Sequence, residues 1–99
     1  MIRFVRTASI APGKAGDAMV FAKQVSEYLD KQHGLKLEVM VPVGGNPFRI
    51  GWRAEYPSLA AMEQMDGKLM ADPKYLELVA RGGQYFNPGS VNDAIWRTV

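Results

Sequence analysis

The stretch Phe48-Arg49-Ile50-Gly51-Trp52-Arg53-Ala54-Glu55-Tyr56 alternates apolar and polar residues without a break. Extended, it places Phe, Ile, Trp, Ala and Tyr on one face and Arg, Gly, Arg and Glu on the other, the pattern of a half-buried strand. The preceding run Leu35-Lys36-Leu37-Glu38-Val39-Met40-Val41 alternates too, and Gly44-Gly45-Asn46-Pro47 between them is turn chemistry, so the pair is predicted as an antiparallel hairpin. Charge selects its register. With Val43 opposite Phe48, Val41 faces Ile50, Val39 faces Trp52 and Leu37 faces Ala54, while Glu38 meets Arg53 and Lys36 meets Glu55 on the other face. A slip of two residues either way sets Lys36 against Arg53 or Glu38 against Glu55, so the turn is predicted to hold the four residues Gly44 to Pro47.

Outward from the hairpin, Ile2 to Ile10 is rich in β-branched residues and ends at Ala11-Pro12-Gly13, a first strand. From about Lys14 to Gln32, Ala18, Phe21, Ala22, Val25, Tyr28 and Leu29 recur at helical spacing, and Gly34 is placed to cap that helix in the left-handed conformation. Ser58 is the expected N-cap of a helix whose Leu59, Met62, Met65 or Asp66, and Leu69 trace the buried stripe. Asp72-Pro73 restarts helix to about Ala80, Gly82-Gly83 stops it, Asn87-Pro88-Gly89 turns the chain, and Val91 to Val99 forms a last strand. The order β-α-β-β-α-β, with its second helix in two pieces, predicts an α+β, ferredoxin-like antiparallel sheet with both helices on one face. Strands one and three then lie in the centre, and residues 1–99 are expected to form one domain.

Ninety-nine residues with 47% hydrophobic and 22% charged content describe a globular chain. The net charge of +2 is slight and the basic residues are scattered, which argues against nucleic acid as a partner. No apolar stretch is long enough to span a bilayer, and the N-terminus lacks the basic-then-apolar order of a signal peptide. Absence of Cys excludes thiol chemistry and fits a cytoplasmic location.

Ala11-Pro12-Gly13-Lys14, Glu55-Tyr56-Pro57-Ser58-Leu59-Ala60-Ala61-Met62 and Met70-Ala71-Asp72-Pro73-Lys74-Tyr75 carry a resemblance over nearly the whole chain. The sequence resembles the dimeric α/β-barrel superfamily, near its NIPSNAP-like and antibiotic-biosynthesis-monooxygenase-like groups. The resemblance implies a homodimer whose two sheets face each other, with a ligand pocket between sheet and helices. Its motifs are structural and transfer no chemistry residue by residue. The known activities include cofactor-free oxygenation, haem degradation, isomerisation and binding without reaction. Haem degradation is disfavoured, since the relatives' helix histidine has no counterpart between Ser58 and Ala80. Two function classes stay open: a cofactor-free monooxygenase-like enzyme acting on a small aromatic or carbonyl compound, and a non-catalytic small-molecule-binding or assembly module. An RNA-binding domain shares the element order but would expose strand-three aromatics that here share a face with Ile50 and Ala54.

The candidate ligand-binding residues are Arg6, Trp52, Tyr56 and Tyr85. Arg6 shares parity with Ile2, Phe4, Ala8 and Ile10, so a regular strand puts a guanidinium on an apolar face. It is then an anion anchor; the alternative, which weighs more, is a bulge or an end position where it reaches water. Trp52 and Tyr56 on one strand face, and Tyr85 after the glycine pair, either fill the core or line a flat pocket. Gly82-Gly83 could let a lid above that pocket move. His33, beside Gly34, is expected to meet the last carbonyls of the first helix, ahead of a role as general base. Arg49 stands opposite Pro42 with no partner, which makes it the better candidate for an intersubunit or ligand contact. No catalytic residue is assigned, and the residues suggest neither a cofactor nor a metal site.

Overall fold

The computed structural model describes residues 1–99. The chain runs β1 (Ile2–Ser9), α1 (Ala15–His33), β2 (Glu38–Met40), β3 (Arg49–Tyr56), α2 (Leu59–Met70), α3 (Pro73–Gly82), a short 3-10 turn (Gly83–Tyr85) and β4 (Asn92–Arg97). The four strands form one antiparallel sheet in the order β2-β3-β1-β4, so strands one and three are central as expected. No helix is long and apolar enough to cross a membrane.

The caps form where their residue types require. Gly34 ends α1 at φ 65°, a conformation that costs a side-chain-bearing residue energy, and its N–H donates to Asp30 O. The Ser58 hydroxyl accepts from the N–H of Ala61 at 3.1 Å, and the Asp72 carboxylate accepts from those of Lys74 and Tyr75 with Pro73 in the first turn. α1 lies close on the sheet because Ala18 and Ala22, both 0% exposed, present only methyl groups, flanked by buried Phe21, Val25 and Leu29. The face they meet is the apolar one. Ile50, Trp52, Ala54 and Tyr56 of β3 are all buried.

The register is the one that charge selects, with Glu38 opposite Arg53 and Val39 opposite Trp52. Its extent differs from expectation. The ladder ends at Met40 opposite Gly51, so a chain of eight residues, 41–48, replaces the predicted four-residue turn. Pro42 has no N–H to give the next rung, and the Asn46 side chain takes the N–H of Phe48 instead (2.9 Å). The expected Lys36–Glu55 pair is also absent. Lys36 reaches back to Asp30 at 2.8 Å, and Glu55 is held by Arg3 at 3.3 Å and by Arg53, which also binds Glu38. β1 is regular through Arg6, which corrects the bulge reading, and Arg49 has no ion-pair partner.

α2 departs from its predicted stripe. Only Leu69 is buried, Met62 and Met65 are half-buried, and Leu59 and Asp66 are exposed. The reason is that α2 covers a hollow rather than the sheet itself.

Candidate functional site

Three sets of alternating or helically spaced residues face this hollow. From the sheet come Phe4, Arg6 and Ala8 of β1, Trp52 and Tyr56 of β3, and Asp93 and Ile95 of β4. α2 contributes Met62, Asp66 and Leu69, and α3 contributes Tyr75, Val79 and Gly82, both at the i, i+4, i+7 spacing of one helix face. α1 closes the far wall with Phe21, Val25 and Leu29. The cavity measures about 630 Å³ and 17 of its 25 lining residues are hydrophobic, which suits a compact apolar molecule with few polar groups.

Its polar groups are few and specific. The indole Nε1 of Trp52 is buried and has no hydrogen-bond partner. An N–H taken from water without an acceptor costs about 1–3 kcal/mol, which an acceptor brought to it offsets. Arg6 does stand on the apolar face, as its parity implied. Its Nε and Nη2 donate to the two carboxylate oxygens of Asp93, its register partner on β4, at 2.7 and 2.9 Å. That two-point bond holds the Asp93 carboxyl below its ordinary range and raises the guanidinium further.

Tyr56 and Tyr75 also belong to the lining. Burial pushes both phenols up, and the Asp66 carboxylate adds to the rise, so both are donors at neutral pH. Asp66 itself forms no ion pair. No group of three or more His, Cys, Asp or Glu is arranged to hold a metal ion.

The structure thus brings Arg6, Trp52 and Tyr56 to one cavity, while Tyr85 lies outside its lining. The Tyr85 ring packs on Phe21 at 5.8 Å, and Phe86 takes the wall position, edge-on to Trp52 at 5.7 Å. Sequence reasoning missed Asp93, Asp66 and Tyr75. Asp93 carries a usable signal: it is the one acid in the last strand, and an arginine on an apolar face needs a carboxylate. His33 differs from expectation too. Its Nε2 lies 2.8 Å from Asp72 Oδ2, which also accepts from the Tyr28 hydroxyl at 2.6 Å, so it ties α1 to the start of α3 rather than capping its own helix.

No protein-family model matches the chain and no curated protein matches it. Solved structures do. An uncharacterized NIPSNAP domain protein from Burkholderia xenovorans superposes with TM-score 0.84 at 16% identity, over 100% of this chain and 95% of its own. A NIPSNAP family protein from Agrobacterium tumefaciens gives 0.78 at 18% identity, over 99% of this chain and 85% of its own. A protein named antibiotic biosynthesis monooxygenase gives 0.74 at 16% identity, over 100% and 99%. The chain therefore has the fold that NIPSNAP and antibiotic-biosynthesis-monooxygenase proteins share.

Proposed function

We propose that this protein binds a small aromatic or carbonyl compound in the cavity between sheet and helices. The observation that carries this is a mostly apolar hollow lined by the Trp52, Phe21 and Phe86 rings, one of which, Trp52, carries a buried N–H with no acceptor. A carbonyl or phenolic oxygen supplies the missing acceptor, the Phe21, Phe86 and Trp52 rings cover an aromatic body, and Tyr56 offers a second donor. The same reading includes a homodimer. The sheet face away from the helices has no covering layer, and it carries Val5, Met40, Ala94 and the largely exposed Trp96 beside the Arg3-Glu55-Arg53-Glu38 ion network.

Nuclear magnetic resonance tests the ligand directly. Addition of small aryl ketones or phenols shifts the Trp52 indole N–H resonance, and Trp52→Phe weakens binding by about 1–2 kcal/mol, roughly five- to thirtyfold, with the fold intact. If no such compound moves that resonance at millimolar concentration, the binding reading fails.

Catalysis is a second reading, favoured by one group. Asp66 is a carboxylate at the cavity free of ion pairs, placed on the lining stripe of α2 where it could accept a proton from a phenolic or enolic substrate. Oxygen uptake with quinols, abolished by Asp66→Asn, distinguishes a cofactor-free oxygenase from a binding protein.

A further inference from the structure

Three charged side chains line the cavity, and their balance is not neutral. Arg6 is positive, Asp93 and Asp66 negative. Arg6 spends one N–H of Nε and one of Nη2 on the two-point bond to Asp93, a register partner fixed by the β1–β4 ladder, so its charge is balanced within the protein. Asp66 has no such neutralising partner. Most polar residues of α2, among them Glu63, Gln64 and Lys68, lie off the cavity, whereas Asp66 falls on its apolar stripe between Met62 and Leu69. Its charge also acts on Tyr56, Tyr75 and Arg6, three other groups of the lining. Trp52 is a second, independent mark, for a residue of the lining carries a buried N–H donor with no acceptor.

We propose that the cavity selects a basic aryl carbonyl compound and rejects anions, with Asp66 as the residue that sets this specificity. The carbonyl oxygen accepts from Trp52, the ring lies among Phe21, Trp52 and Phe86, and the protonated amine meets Asp66 with the tyrosine rings nearby. This inference rests on the binding reading above. It also reverses the role that sequence parity suggested for Arg6, whose charge is neutralised within the protein.

The test uses Trp96→Phe protein, in which Trp52 is the sole indole, and three matched probes at neutral pH: para-(aminomethyl)acetophenone, para-methylacetophenone and para-acetylbenzoate. The cation is expected to bind about tenfold or more tighter than the anion at low salt, with the gap narrowing as salt is added because Asp66 is solvent-exposed. Asp66→Asn is expected to bring cation and neutral probe to about equal affinity. Equal or tighter binding of the anion, or discrimination that persists in Asp66→Asn, overturns the specificity proposal while leaving the binding reading standing. Failure of all three probes to alter Trp52 fluorescence or its indole N–H resonance overturns the binding reading, and this proposal with it.

Discussion

Gly82→Ala tests how tightly α3 is fitted to the cavity wall. Gly82 sits at φ −67° and ψ −21°, ordinary helical values, so nothing in its backbone demands glycine. Its neighbour does. A β-carbon there would lie 2.0 Å from Cζ of Phe21 and 2.4 and 2.5 Å from Cε1 and Cε2, and the ring must retreat until that contact reaches 3.4 Å or more. Phe21 is 8% exposed and wedged between Tyr85 and Phe86, with centroids 5.8 and 6.0 Å away, so its retreat disturbs both aromatic contacts. Overpacking of this kind costs about 1–3 kcal/mol, of which the better helix propensity of alanine returns up to about 1. The expected net loss is about 1–2 kcal/mol, a fall of roughly 5–15 °C in Tm for a chain of this size. Thermal unfolding followed by circular dichroism reads it. In a Phe21→Leu background, where a smaller and more flexible side chain faces Gly82, the cost of Gly82→Ala should drop by at least about half. An unchanged or raised Tm for Gly82→Ala alone, or an identical cost in both backgrounds, refutes the contact as the reason for glycine.

Asp72 makes acid stability testable: hydrogen bonds from Tyr28 and then His33 hold its carboxyl down to about 2, from an ordinary 3.8. A folded-state value below the unfolded one contributes stability that is complete above about 3.8 and is lost as pH falls toward 2. Wild type should therefore lose Tm more steeply than Asp72→Asn across that window, and parallel profiles would show that the carboxylate is not the acid-sensitive group. For the Arg6–Asp93 pair, about 40% and 39% exposed, solvent screening limits the pairwise coupling to about 1 kcal/mol or less. Asp93→Ala should destabilise more than the Arg6→Ala/Asp93→Ala double change, because it leaves a guanidinium unpaired on an apolar face; strict additivity in urea unfolding would contradict this. Light scattering on wild type and Trp96→Arg should show a dimer weakened by a charge on the uncovered face, and a wild-type monomer at micromolar concentration removes that assembly.

Local chemistry made much of this fold legible. Gly34, Ser58 and Asp72-Pro73 announce helix ends because each satisfies a specific geometric or hydrogen-bonding demand at its own position, whatever surrounds it. The parity of Arg6 was legible too, and the strand is regular there; what the sequence left open was its partner, since no turn fixes β4 against β1. The stripe of α2 misled for a related reason. Apolar residues at helical spacing identify a face that avoids water, but a face over a hollow and a face packed on a sheet have the same spacing. Met62 and Asp66 therefore read as core when they line a cavity. Segment 41–48 leaves the ladder although Val41 and Val43 keep the alternation of a strand, because Pro42 between them has no N–H to donate, and both valines are exposed.

Two different forces place Trp52 at the cavity, and they act on different errors. A one-residue slip of β3 would turn Ile50, Trp52 and Tyr56 outward and Arg49, Arg53 and Glu55 inward, exposing large side chains worth about 1.5–3 kcal/mol each and burying charges. Burial alone forbids that. A two-residue slip keeps every face correct, so burial discriminates against it weakly. Here the ions decide, because the native register puts Glu38 against Arg53 and Arg3 against Glu55, and a shift brings like charges together. Each exposed pair contributes only about 0.2–1 kcal/mol, yet this small difference acts where the larger force is nearly silent. The ion network on the uncovered face thus helps hold the β3 register that sets Trp52 at the cavity, on the opposite side of the same strand.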